Sequence, residues 1–92
     1  MTFTSDPSQT FTTIINEERY DFKVVYNANY DYWVISISLD SVELVNGIKM
    51  VTQTQLTSQH PQVPFNLYSS GDEDANGENI EEFVLEVSLK NG

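Results

Sequence analysis

The sequence predicts an all-β fold: a small antiparallel β-sandwich or partly open β-barrel of about five to seven short strands. Three observations predict it. Large apolar side chains recur at every second position in several runs, a spacing that lines one face of a strand but scatters around a helix. Clusters of Asn, Asp, Ser and Gly separate these runs at close intervals, as turns do. No stretch carries an apolar stripe at the helical period over a useful length.

Taken in order, residues 1–9 are largely polar and include Asp6-Pro7-Ser8, so they read as a flexible lead-in, with residues 10–92 as the single β domain. Thr10 to Ile15 is rich in β-branched and aromatic residues, a strand signature. After turn chemistry at Asn16-Glu17-Glu18, Tyr20, Phe22, Val24 and Tyr26 share one face and Arg19, Asp21, Lys23 and Val25 the other. Asn27-Ala28-Asn29 breaks that alternation. Trp33, Ile35, Ile37 and Leu39 form the next in-phase set, ended by Asp40-Ser41. Asn46-Gly47 suits a type I′ hairpin or a looser corner. A weaker strand is expected within 47–57, through Ile48, Met50 and Thr52, and a loop with two prolines follows. Phe65 to Tyr68 is a short strand, 69–81 an acidic loop, and Phe83, Leu85, Val87 and Leu89 a final strand in phase.

Composition narrows the function classes. Ninety-two residues make one domain with a thin core, burying about two-thirds of the surface its unfolded chain exposes. There is no cysteine, and His60 is the single histidine, so neither disulfides nor a zinc cluster reinforces that core. A compact sheet core, oligomerisation or docking into a larger assembly must do so. Fourteen acidic against four basic residues give a net charge of −10, which repels a phosphate backbone and an anionic membrane surface alike. No apolar run is long enough to span a bilayer, and the first residues lack the basic and apolar regions of a signal peptide. Synthesis in the cytoplasm as a soluble protein is expected.

No catalytic arrangement emerges. His60 precedes Pro61 in a loop, no cysteine nucleophile accompanies it, and no serine lies in a Gly-x-Ser-x-Gly elbow. Glu17-Glu18 and Glu81-Glu82 read as turn and strand-edge carboxylates that deter stray strand pairing. The chain is expected not to be an enzyme. Asp72-Glu-Asp-Ala-Asn-Gly-Glu78 opens like a calcium loop, with Asp72, Asp74, Asn76 and Glu78 as candidate oxygen ligands. Its twelfth position is Phe83 rather than a bidentate Glu, and no helices flank it. The competing reading is a solvated loop across residues 72–82 without a cofactor. Tyr30 and Tyr32, on or beside a turn, are the better candidates for partner contact, with Phe3 and Phe11 as further ones, whereas phasing puts Trp33 inside.

Tyr20-Asp-Phe-Lys-Val-Val-Tyr-Asn27, then Tyr32-Trp-Val-Ile-Ser-Ile37 and Val45-Asn-Gly-Ile-Lys-Met-Val51, resemble the small plug-type proteins of contractile bacteriophage tail baseplates. In that family an early strand ends in a Tyr-Asn step, a Trp strand follows, and a Gly-Ile or Gly-Val step leads onward. The likeness covers residues 11–57 and continues through Pro64-Phe65. The final strand lacks the family's usual small-residue approach, and the acidic stretch at 72–82 has no counterpart in the pattern. The resemblance implies a virion component near the tail tip, packed against hub, spike or tube proteins in a symmetric multi-copy assembly. It implies no catalytic residues.

Two other readings compete: a ligand-binding β-sandwich module for carbohydrate or Ca²⁺, and an acidic nucleic-acid mimic. The mimic is weakened because six of the fourteen carboxylates crowd one loop region.

Overall fold

The computed structural model describes residues 1–90 of the 92, so the last two residues of the predicted 10–92 domain lie outside the described part. Within it all regular structure is strand. β1 (Ser8–Ile15), β2 (Glu18–Asn27), β3 (Tyr32–Leu39) and β4 (Val42–Lys49) pair antiparallel in chain order as a four-stranded meander. β5 (Phe65–Tyr68) and β6 (Glu86–Leu89) form a second, two-stranded antiparallel sheet. The architecture is an open two-sheet β protein rather than a closed barrel.

Two hairpins of one kind set the register of the meander. β1 joins β2 through Asn16-Glu17, with φ of 52° and 68°, and β3 joins β4 through Asp40-Ser41, with φ of 48° and 68°. Two successive positive φ values make type I′ turns, whose twist matches that of the strands they connect. Pairing then runs unbroken from Ile15↔Glu18 to Ser8↔Val25. The inner face carries Tyr20, Phe22 and Val24 from β2 and Trp33, Ile35 and Ile37 from β3, all buried. Burial of each such side chain contributes about 1.5–3 kcal/mol.

Asn46-Gly47 is not a hairpin turn. The register passes from Ile37↔Val45 to Ile35↔Ile48, so Ser36 alone faces both Asn46 and Gly47. Gly47 takes φ of 80°, and the Ser36 hydroxyl accepts its amide at 3.0 Å while donating to Asn46 Oδ1 at 3.2 Å. This is a β-bulge, a second setting that favours glycine at positive φ. Asp40-Ser41 already reverses the chain, so the extra residue is absorbed within β4.

The weaker strand expected in 47–57 ends at Lys49. Beyond buried Met50 the chain crosses to the second layer and runs along the free side of β5. Gln53 N donates to Ser69 O at 2.7 Å and Leu56 N to Leu67 O at 2.8 Å. Gln55 Oε1 accepts Leu67 N at 3.1 Å, and the buried Thr57 hydroxyl donates to Phe65 O at 2.6 Å. Side chains thus stand in for part of a strand ladder.

The closing segment is also only partly as expected. Phe83 and Leu85 are buried, but the strand begins at Glu86, and Val87 and Leu89 are 37% and 49% exposed. They pair with buried Leu67 and Phe65 and so share their face, yet β6 is the last strand of its sheet.

Aromatic contacts join the layers. The Phe65 ring meets Tyr20 edge-on at 4.9 Å between centroids and Phe22 at 6.0 Å. Residues 1–9, read from sequence as a flexible lead-in, contribute to this core. Phe3 is buried between Phe11 (6.1 Å) and Phe83 (6.5 Å), and Met1 exchanges backbone hydrogen bonds with Leu85 at 3.0 and 3.1 Å.

Candidate interaction surface

The β2–β3 turn builds one end of the meander. Asn27 Oδ1 accepts the Asn29 amide at 3.0 Å, an Asx-turn, and Asp31 takes a positive φ of 55° to re-enter β3. Tyr30 is 76% exposed at the tip. Its ring lies 6.3 Å from that of half-buried Tyr32, whose hydroxyl accepts Asn27 Nδ2 at 3.2 Å.

The acidic loop is fastened to this turn across the molecule. A single Asp31 oxygen accepts the Tyr26 hydroxyl at 2.5 Å and the Gly77 amide at 2.7 Å. The Tyr26 hydrogen bond, then the Gly77 amide, hold the Asp31 carboxyl below its ordinary pKa. The same bond raises the Tyr26 phenol, with desolvation adding to it. Trp33 Nε1 donates to Asn76 O at 2.9 Å. Gly77 is needed for this approach, because a Cβ there would lie 2.7 Å from Tyr26 Oη.

Between turn and loop lies a shallow groove of about 520 Å³ bordered by Tyr30, Tyr32, Lys49, Asp74, Asn76 and Glu78. It unites the two tyrosines with three of the four candidate calcium ligands. Asp72 borders a separate depression with Glu73, Glu82 and Glu86. Two of the four candidate ligands already have partners. Asp74 Oδ1 accepts the Thr52 amide at 2.8 Å, and Asn76 Oδ1 accepts Glu78 N at 2.8 Å and Asn79 N at 3.1 Å. Among the described residues no three His, Cys, Asp or Glu side chains converge as metal ligands.

Lys49 Nζ stands 5.0 Å from the Tyr32 ring centre, a cation–π contact that occupies one ring face. Tyr30 is the openly exposed ring of the pair. Phe3 and Phe11 do not join this surface. Phe3 lies in the core, and partly buried Phe11 stacks on Phe22 at 5.4 Å. The sequence reading gave Asp31 and Lys49 no role at this surface, and it placed Gly77 only within the calcium-loop pattern. Asp31 and Gly77 are 46 positions apart, and no local pattern links them.

Fold and surface define a class, the small open all-β module with backbone-anchored acidic loops. Within that class the chain belongs to the family described as cyanophage baseplate Pam3 plug gp18, which matches residues 1–89. It is thus a phage baseplate plug component, as the resemblance of its Tyr-Asn, Trp and Gly-Ile steps implied. No curated protein matches the sequence.

Proposed function

We propose that this chain is a non-catalytic structural part of the tail baseplate, held in several symmetry-related copies by contacts with hub, spike or tube proteins. It is made in the host cytoplasm and carried in the virion tail. The family match over residues 1–89 carries this reading. The physical chemistry agrees with it: a thin core without disulfide or zinc gains stability from neighbours that bind only the folded state. Electron cryo-microscopy and quantitative mass spectrometry of purified particles test it. Density for the chain at the tail tip, in a copy number matching the local symmetry, is the expected result. Particles without the chain would overturn the reading.

A further inference from the structure

Each strand edge in the molecule is managed differently. The outer edge of β4 carries Glu43 and Lys49, two register irregularities and the Gln62 side chain bonded to Leu44 O at 2.9 Å. The free side of β5 is covered by residues 53–57. β6 is four residues long and opens with Glu86. Charge, bulges, coverage and shortness are the usual protections against stray pairing.

β1 has none of them. Its eight residues, Ser-Gln-Thr-Phe-Thr-Thr-Ile-Ile, contain no charge and no proline, and its pairing with β2 has no bulge. A two-residue hairpin makes its flanking pair hydrogen-bonded, and bonded pairs then alternate. Gln9, Phe11, Thr13 and Ile15 therefore bond to β2, and Thr10, Thr12 and Ile14 direct N–H and C=O outward. Among the described residues no other segment bonds to those three backbones. Ile14 is 70% exposed.

The apolar interior comes to the surface on the same side. Phe65 packs on Tyr20 and Phe22. One strand outward from these are Thr13 and Phe11 on β1 and Leu89 on β6. The N-terminal segment closes part of this seam, through Met1 against Leu85 and Phe3 against Phe11. Past it, Val87 and Leu89 face inward yet remain exposed.

We propose that the β1 edge takes up one extended segment of a different baseplate protein, apolar at alternate positions and flanked by Lys or Arg. Main-chain bonds to Thr10, Thr12 and Ile14 supply the register, and inward side chains cover Val87 and Leu89. Charge selects the occupant. Opposite Thr10, Thr12 and Ile14, β2 carries Lys23, Asp21 and Arg19, so the selecting field is that of the whole chain rather than of the adjacent strand. A second copy would set a net charge of −10 against −10, whereas a basic segment is attracted.

The inference rests on the baseplate reading and is tested in particles assembled with wild-type chain, Thr12→Pro or Ile14→Lys. Proline at position 12 removes an amide that the isolated fold does not use, and Ile14→Lys places a like charge beside a basic partner. Both variants are expected to stay folded, with midpoints lowered only by loss of the Thr12 hydroxyl bond to Asp21 and by a like charge opposite Arg19, while their copy number in particles falls by about tenfold or more. Wild-type incorporation by both folded variants overturns this inference and leaves the baseplate reading standing; absence of the wild-type chain overturns that reading instead. Electron cryo-microscopy of wild-type particles decides the matter without variants. A foreign extended chain beside Thr10–Ile14 is expected, and bare solvent or a second copy there refutes the proposal.

Discussion

Asp31 accepts the Tyr26 hydroxyl and the Gly77 amide through one oxygen, and so ties a turn near the middle of the chain to a loop near its end. Because its carboxyl is held below the ordinary pKa when folded, its contribution to stability is present above the unfolded value, about 4. That contribution is lost as pH falls through the lower folded value. Tyr26, raised when folded, contributes below its unfolded value, about 10, and loses that contribution as pH rises through the folded one. Asp31→Asn is expected to melt below wild type at neutral pH, with the two curves converging in acid. Parallel acid limbs in melts recorded across pH would show that the bond contributes nothing. At the neighbouring loop, Asp74 and Asn76 commit side-chain oxygens to backbone amides. Millimolar calcium or chelator is therefore expected to leave the melting midpoint unchanged. A calcium-dependent rise would require these bonds to open for a cation.

At the scale of elements, both hairpins place non-glycine residues at two successive positive φ values. Left-handed backbone costs an ordinary residue about 1–2 kcal/mol, and the second position of a type I′ turn favours glycine. Glu17→Gly, at φ of 68°, is expected to stabilise the fold by about 1 kcal/mol after the entropy that glycine adds to the unfolded chain. Urea unfolding with a higher midpoint and an unchanged slope is the signature; no rise would mean that strain at the turn is relieved elsewhere. The turn chemistry here was legible in sequence, and so were β2 and β3, whose alternation continues long enough to exclude a helix. Asn46-Gly47 was not legible as a bulge. The same dipeptide serves a turn or a bulge, and the deciding fact is pairing with Ser36 ten or more residues away. Coverage of β5 by Gln55 and Thr57 was equally hidden, because side chains there replace backbone donors and acceptors. The place of Tyr30 and Tyr32 at the β2–β3 turn was legible, but their nearness to the acidic loop depends on contacts remote in sequence.

For the whole molecule, two sheets of four and two strands enclose one thin core, and its closure depends on a segment outside the strand pattern. Phe3 fills the seam between Phe11 and Phe83, and Met1 bonds to the stretch that leads into β6. A polar lead-in with one aromatic residue has no periodicity to reveal this, since burial of a single side chain leaves no repeat. Phe3→Ala removes a buried ring from the join between the layers, and truncations of this kind cost about 3–5 kcal/mol. Small domains have only about 5–15 kcal/mol in total, so the variant is expected to melt far below wild type. Its loss also reaches the β1–β6 side, where Val87 and Leu89 are already partly exposed. Amide exchange of Leu85 and the β6 residues should therefore quicken more than that of β2 and β3, whose ladders lie farther from Phe3. A variant whose stability stays within about 0.5 kcal/mol of wild type, the usual scale of a surface change, would mean that residues 1–9 are dispensable to the isolated fold. Their ordering would then belong to the assembled baseplate.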